Sequence, residues 1–311
     1  MDKLTSQFNV TYITLVGHVE LLKYRHLYFV IMFIVYTLIL LCNFTIICLI
    51  MTHRSLREPM YIFIAALLLN SVLFSTVVYP KLLIDFLSDK QVISFSLCAL
   101  QSLFFYSLEG SEFLLLAVMA FDRYVSICKP LQYPTIMRKT TVSILLILAW
   151  LVPACHLLPS FFWVFSLKLC RFTLKGIFCN NAMSRLYCQR PQITYALYGA
   201  FIILNTTFMP FLFILFTYTR IVIVLYKSCK EVRMKAVQTC LPHLLVLISF
   251  SCLCSYDIII ARLKAGLPTT VHFVMTLQVI LYHPLFNPVI YGLKMKEISK
   301  HLMKLLRIKT T

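Results

Sequence analysis

The stretch MAFDRYVSICKPLQY, residues 119–133, ends a long apolar segment and decides how the rest of the chain is interpreted. Asp122 and Arg123 stand where the apolar residues give way to polar ones. An ionisable side chain at a membrane boundary is costly unless it is paired, and the aspartate can hold its arginine neighbour locally. The stretch therefore predicts the end of a membrane-spanning helix that carries a functional ion pair.

Six other apolar segments accompany this one, in a chain of 311 residues of which 60% are hydrophobic and 13% charged. A soluble domain carries about 25% charged residues, whereas a membrane span needs about 20 apolar residues. Each segment is predicted to be a helix, because backbone polar groups need internal partners in lipid. The expected spans are Leu27–Met51, Met60–Phe86, Ala99–Ile127, Ser143–Val164, Ile193–Tyr226, Leu241–Leu263 and Val271–Tyr291.

The formal charge of +18 does not indicate a nucleic-acid-binding protein. The basic residues lie between the apolar runs and form no single block, which is typical of lysine and arginine beside membrane spans. A nucleic-acid surface also needs a water-exposed fold, for which the apolar runs leave little room. The lipid bilayer is therefore an expected partner, and nucleic acid is not.

The expected fold is all-α, with an extracellular N-terminus over 1–26, a seven-transmembrane helix bundle over 27–291 and a cytoplasmic tail over 292–311. The tail is rich in lysine and arginine, which places it in the cytoplasm. Its apolar residues recur at helical spacing, which predicts a short amphipathic eighth helix on an anionic leaflet. Seven spans then put the N-terminus outside, where Asn9 of an Asn-Val-Thr sequon is a candidate glycosylation site. No cleaved signal peptide is expected.

A second motif, PLFNPVIY at residues 284–291, identifies the seventh span, which is the weakest of the seven by apolarity. Pro288 removes a backbone donor and weakens the helix locally. Asn287 and Tyr291 bring polar groups to the interior of the bundle. The motif therefore predicts a locally deformable helix end that faces the other helices.

The two motifs together, D-R-Y closing a third span and N-P-x-x-Y closing a seventh, resemble the rhodopsin-like receptors. Three further blocks are similar to odorant receptors: P-M-Y at 59–61, M-A-F-D-R-Y-V-S-I-C at 119–128 and K-A-x-x-T-C-x-x-H at 235–243. The resemblance covers nearly the whole chain, and it is closest to the fish-type branch of that family.

This resemblance implies an odorant-activated G-protein-coupled receptor, with no enzymatic activity and no cofactor. A small-molecule odorant would bind between the outer halves of the third, fifth, sixth and seventh helices. The sixth helix would then shift, and a stimulatory olfactory-type G protein would dock at the inner face and raise cAMP, as expected of a bistable bundle. The residues assigned to this switch are Asp122, Arg123, Tyr124, Lys235, Thr239, His243, Asn287, Pro288 and Tyr291.

Acidic and aromatic side chains within the spans are the candidates for ligand contact, since an ionisable residue there is a functional hypothesis by default. Glu112 matches the acid of odorant receptors, whereas Ser71 stands where many rhodopsin-like receptors carry an aspartate. Glu112 is therefore expected as a single interior acid and not as half of a two-acid sodium site. The ligand candidates are Phe105, Glu109, Phe201, Phe208, Phe250, Tyr256 and Asp257; the alternative for the aromatic residues is packing or lipid contact.

Four of the twelve cysteines lie in segments expected outside the membrane, which allows three disulfide connectivities. The resemblance selects Cys98–Cys179, which ties the third helix to the long loop, and Cys170–Cys188, which closes that loop on itself. The two bridges would make the loop a fixed lid over the pocket. No metal site is expected, because the loop lacks a metal-ligand spacing.

Two other functions remain as alternatives. A rhodopsin-like receptor for a non-odorant ligand such as an amine would usually carry an aspartate in the outer third helix, where this chain offers only Glu109. A transporter or channel would often show internal repeats or paired broken helices, and the sequence shows no repeat. The common motifs of hydrolases, metalloproteases and nucleotide-binding enzymes are absent from the sequence, which argues against an enzyme.

Overall fold

Helices dominate the structure, a computed structural model that describes residues 11–19, 21–188, 193–262 and 269–307 and, for some of these, including 235–239 and 253–262, only the backbone. The helices in chain order are α1 (Leu21–Thr52), α2 (Pro59–Leu87), α3 (Phe95–Cys128), α4 (Tyr133–Ile136), α5 (Lys139–Val164), α6 (Ile193–Ile203), α7 (Met209–Tyr226), α8 (Lys230–Arg262), α9 (Thr269–Lys294) and α10 (Lys296–Arg307). A π-helical turn at Leu204–Phe208 joins α6 to α7.

Every predicted span corresponds to a long helix, or to the joined pair α6 and α7, which confirms the helical bundle. Within the described residues, 6 helical segments are long and apolar enough to cross a membrane. α9, the weakest span by sequence, is one of them, with a mean hydropathy of 1.4. α8 is 33 residues long, and its described apolar part runs over Cys240–Cys252.

α3 is the central helix, and it packs against α2, α5, α7 and α8. Its 34 residues span about 50 Å at 1.5 Å per residue, so it exceeds a hydrocarbon core of about 30 Å. Large apolar side chains on the outside of the bundle stay exposed; Leu41 and Ile147 are each 59% exposed. Apolar surface of this extent suits contact with lipid and not with water.

A small sheet covers one end of the bundle, and the sequence did not predict it. β1 (Tyr12–Leu15) pairs antiparallel with β2 (Val92–Ser94) and parallel with β3 (Thr173–Leu174). The disulfides Cys98–Cys179 and Cys170–Cys188 are both present at this end. We call it the disulfide end, and the opposite end, where α10 lies, the tail end. The three strands and the segment 170–188 together form the lid.

His18 follows β1 in the lid and gives the lid a predicted dependence on pH. Its ring nitrogens are buried and make no hydrogen bond with the described residues, and burial, assisted by nearby Lys81, lowers its pKa from 6.5 to about 4. Between these two pKa values the unfolded chain binds a proton at His18 that the folded protein does not bind. The free energy of unfolding therefore falls as the pH drops from about 6.5 towards 4.

We expect the melting temperature of the purified protein to be lower at pH 5 than at pH 7.5. We expect this difference to be smaller in His18→Gln. His26→Gln is the matched control, because His26 is exposed near the same end. An equal pH dependence in the wild type and in His18→Gln would contradict this account of the lid.

A polar layer separates two apolar clusters inside the bundle. On α2 and α3, residues nearer the disulfide end, such as Phe74 and Phe105, belong to one cluster. Residues nearer the tail end, such as Leu67 and Leu116, belong to the other. Between the two clusters lie buried polar side chains, which are Asn43, Asn70, Ser71, Glu112, His283 and Asn287. The layer crosses α1, α2, α3 and α9, so it joins these helices at mid-depth.

α10 returns against the tail end of the bundle and buries its apolar face there. Met295, just before it, is 4% exposed, and Ile298 is fully buried. The imidazole of His301 lies 4.0 Å, centroid to centroid, from that of His53 in the loop after α1. The predicted amphipathic helix is therefore present, and it is fixed to α1 as well as to α9.

Candidate functional site

The tail end of α3 holds the ion pair that the sequence predicts. Arg123 Nε lies 3.1 Å from Asp122 Oδ2, and the hydroxyl of Tyr133 on α4 donates to Asp122 Oδ1 at 2.8 Å. Asp122 is fully buried and Arg123 is 8% exposed. The aspartate therefore holds the guanidinium on one side and the loop after α3 on the other.

Tyr133 is suited to this donor role. Burial, followed by the negative charge of Asp122, raises its pKa, so the phenol keeps its proton at neutral pH. Sequence reasoning missed this residue, because its role depends on how the short helix α4 folds back on α3.

A second contact at the tail end joins α8 to α9. His243 Nδ1 lies 3.3 Å from the hydroxyl of Tyr291, and both side chains are buried. Tyr218 on α7 is also buried at this end, and its hydroxyl makes no hydrogen bond in the described part of the chain. The tail end thus holds polar side chains from α3, α7, α8 and α9. The sequence predicted those named on α3, α8 and α9, and it did not single out Tyr218.

The proline motif of α9 is tied to α1. Pro288 lacks the amide hydrogen that would bond the carbonyl of Pro284 four residues earlier. That carbonyl instead accepts from Asn43 Nδ2 at 2.8 Å. The local weakness of α9 is therefore compensated by an amide from α1 inside the bundle.

Asn287 connects the polar layer across three helices. Its Nδ2 donates to Ser71 Oγ on α2 at 3.0 Å and to Glu112 Oε1 on α3 at 2.9 Å. His283 Nδ1, one turn earlier on α9, lies 4.0 Å from the same carboxyl oxygen. The interior acid therefore faces an amide and an imidazole, and a serine stands where a second acid would lie.

The predicted ligand residues near the disulfide end are only partly brought together. Phe105 is buried, and its ring centroid lies 4.8 Å from that of Phe178 in the lid. Glu109 is half-buried one turn further along α3. Phe250 on α8 is buried deeper, and its ring lies 4.4 Å from that of Phe113. The lid thus reaches the aromatic side chains of the bundle directly.

Phe201 and Phe208 lie at the surface of the bundle, and their role as ligand contacts stays a prediction. They are 48% and 49% exposed, on the outer surface of the α6–α7 rod. Phe208 ends the π-helical turn at Leu204–Phe208, which follows the helix that carries Phe201, and the ring of Phe201 contacts that of His156 on α5 at 5.7 Å, centroid to centroid. Their placement fits packing or lipid contact, the alternative stated for them.

Several predicted residues lie outside the described side chains or outside the site. The side chains of Lys235, Thr239, Tyr256 and Asp257 are not among those described, and Asn9 precedes the described residues. Tyr124 is half-buried against the apolar cluster of the tail end. Gln101, which the sequence did not single out, accepts from the backbone amide of Cys179 at 3.0 Å and helps to fix the lid on α3.

Known proteins match this arrangement. The olfactory-receptor family model matches residues 32–309. Human olfactory receptor 11G2 is 37% identical over 89% of this chain and 81% of its own length, and human olfactory receptor 10AG1 is 32% identical over 94% and 97%. Squid rhodopsin superimposes with a TM-score of 0.74 at 20% identity, over 96% of this chain and 91% of its own. The chain therefore belongs to the olfactory-receptor family, whose members are multi-pass membrane receptors and not enzymes.

Proposed function

We propose that this chain is an odorant-activated receptor of the plasma membrane that couples to a stimulatory olfactory-type G protein and raises cAMP. The observation that carries the proposal is the buried Asp122–Arg123 pair held by Tyr133. A buried charge at a helix end, held by a short local pair, is suited to release when neighbouring helices move. Membership of the family supports a small-molecule ligand and a G-protein partner.

The proposed orientation has the disulfide end outside the cell and the tail end in the cytoplasm. Two disulfides at one end fit an oxidising compartment. The basic helix α10 at the other end fits an anionic cytoplasmic leaflet. With this orientation the sequon at Asn9 is on the outer side, and its glycosylation remains a prediction.

The proposed ligand pocket lies in the disulfide-end half of the bundle, beneath the lid. Phe178 of the lid and Phe105 of α3 pack together there, and Glu109 supplies an acid on the same helix. Apolar walls with a few polar groups are typical of small-molecule sites. Tyr256 and Asp257 on α8 stay candidates for the same pocket.

The proposed switch runs from this pocket along α8 to the tail end. A ligand that binds one arrangement of α8 more tightly shifts the population towards it. Movement of α8 changes the His243–Tyr291 contact and the surroundings of Arg123, and it displaces the stretch that contains Lys235 and Thr239. The G protein then meets a tail end in which Arg123 is free of Asp122.

The test is a cAMP assay in cells that express this chain with a stimulatory olfactory-type G protein, with surface staining to normalise the signal. A panel of water-soluble odorants is applied, because the sequence blocks predict a likeness to the fish-type branch. A saturable, dose-dependent rise supports the proposal. A response that appears only with an inhibitory or calcium-mobilising G protein would contradict the proposed G-protein partner. A response to amines alone would contradict the proposed ligand class.

A further inference from the structure

The polar layer contains a buried imidazole whose Nε2 atom has no hydrogen-bond partner among the described residues. His283 is 4% exposed, and its Nε2 makes no hydrogen bond within the described part of the chain. The Oγ atom of Ser251 on α8 is buried and unpartnered in the same way. A buried polar atom without a partner costs free energy unless a water molecule or a ligand satisfies it.

The two groups come from neighbouring helices, and Ser251 is adjacent in sequence to a residue that contacts His283. Ser251 follows Phe250 on α8, and the ring of Phe250 meets the imidazole of His283 edge-on at 4.3 Å. The neighbouring Tyr282 also reaches α8, donating to Ser249 Oγ at 3.3 Å. The α8–α9 contact therefore brings Ser249 and Phe250 against Tyr282 and His283, and Ser251 is the next residue along α8.

The surroundings of His283 decide which hydrogen-bonding role its free nitrogen has. Nδ1 faces the carboxyl oxygen of Glu112 at 4.0 Å, an oxygen that already accepts from Asn287, and an acceptor on that side favours the ring proton on Nδ1. Nε2 then carries the lone pair and accepts a hydrogen bond. Ser251 Oγ can donate one as well as accept one.

We propose that His283 Nε2 and Ser251 Oγ bind the hydroxyl group of a small, otherwise apolar ligand. One hydroxyl satisfies both atoms, since it donates to the imidazole and accepts from the serine. The hydrocarbon part lies towards Val279 and Ile280, which belong to the apolar cluster of the disulfide end. A carboxylate is disfavoured in this buried site, because a buried charge is costly unless it is paired.

This inference rests on the proposed function, because it names the chemistry of the ligand of that receptor. The first experiment uses hexanol, octanol and benzyl alcohol, each compared with its methyl ether, in the cAMP assay. We expect the half-maximal concentration of at least one alcohol to be at least about tenfold below that of its ether, since a site built to hydrogen-bond a hydroxyl rejects the analogue that lacks it.

Variants then test whether His283 and Ser251 cause the preference for the alcohol over its ether. His283→Phe keeps a ring against Phe250 but removes Nε2, so we expect the alcohol-to-ether preference to disappear. His283→Gln offers an amide at similar reach and is expected to keep part of it, and Ser251→Ala is expected to lower it. Ser249→Ala is the matched control, because Ser249 Oγ already donates to the carbonyl of Leu245 at 2.7 Å. A full preference in His283→Phe at normal surface level would overturn the inference.

A second measurement keeps the inference testable without the G protein. Thermal unfolding of the purified receptor is followed with each alcohol and with each ether. A saturable increase in the melting temperature with an alcohol, absent in His283→Phe, supports the subsite even if no cAMP signal arises. In that case only the proposed coupling fails. No saturable increase with any of the three alcohols, or an equal increase with the ethers, overturns the subsite.

Discussion

Arg123→Ala is expected to reduce ligand-dependent cAMP production to the level of cells without receptor. The guanidinium is the cation that the buried Asp122 carboxylate holds at the tail end, and the proposed coupling requires its release to the G protein. Alanine leaves no cation to release. The measurement is the cAMP assay at matched surface level.

Folding has to be separated from coupling in this test, because removing one partner of a buried ion pair can cost about 3–5 kcal/mol. Asp122 keeps its bond from Tyr133 in the variant, so we expect a measurable amount of receptor at the cell surface. Arg138→Ala is the matched control, since Arg138 is an exposed arginine nearby in the loop between α4 and α5. Full signalling by Arg123→Ala would show that another group carries the coupling.

The spans and the ion pair could be predicted because their signals are local. A run of about 20 apolar residues defines a membrane helix by itself, and Asp122 and Arg123 are adjacent in the chain. Contacts between helices are different, because sequence spacing does not set them. His243 and Tyr291 were each assigned to the switch through the resemblance, but their 3.3 Å contact depends on how α8 packs against α9.

The polar layer illustrates the same limit. Glu112 and Asn287 were both identified from the sequence, whereas the bond between them and the part played by His283 follow from the depth at which α3 and α9 meet. The sequence also did not predict which face of α6 and α7 points towards the other helices. Phe201 and Phe208 belong to a segment that is apolar on all sides, and such a segment does not indicate which face points inwards.

The strands of the lid escaped prediction because they are too short to show a period of two. β3 has two residues, and its partner β1 lies far from it in sequence, near the N-terminus. Their pairing is set by the disulfides and by the packing of Leu15 and Leu174 in the apolar cluster of the lid. The fixed lid was nevertheless expected, because the resemblance selected the two disulfide pairs that the structure contains.

Cys98→Ser is the substitution with the second large expected effect. We expect most of the folded receptor to be lost from the cell surface in this variant. Cys98 and Cys179 are both fully buried, and the bridge joins positions 81 residues apart. Closing a loop of that length restricts the unfolded chain by about 4–5 kcal/mol on the chain-entropy account. The bridge also positions the backbone amide of Cys179 to bond Gln101, so its loss releases the lid from α3.

The second bridge and a free thiol supply the comparison. Cys170–Cys188 closes 18 residues, for which the same account gives about 3 kcal/mol, and both cysteines are exposed. Cys170→Ser should therefore lower surface staining less than Cys98→Ser, and Cys48→Ser, at an exposed free thiol, should not lower it. Equal surface staining and melting temperature for Cys98→Ser and Cys48→Ser would mean that the packing of Ile177 and Phe178 into the disulfide-end cluster holds the lid without the bridge.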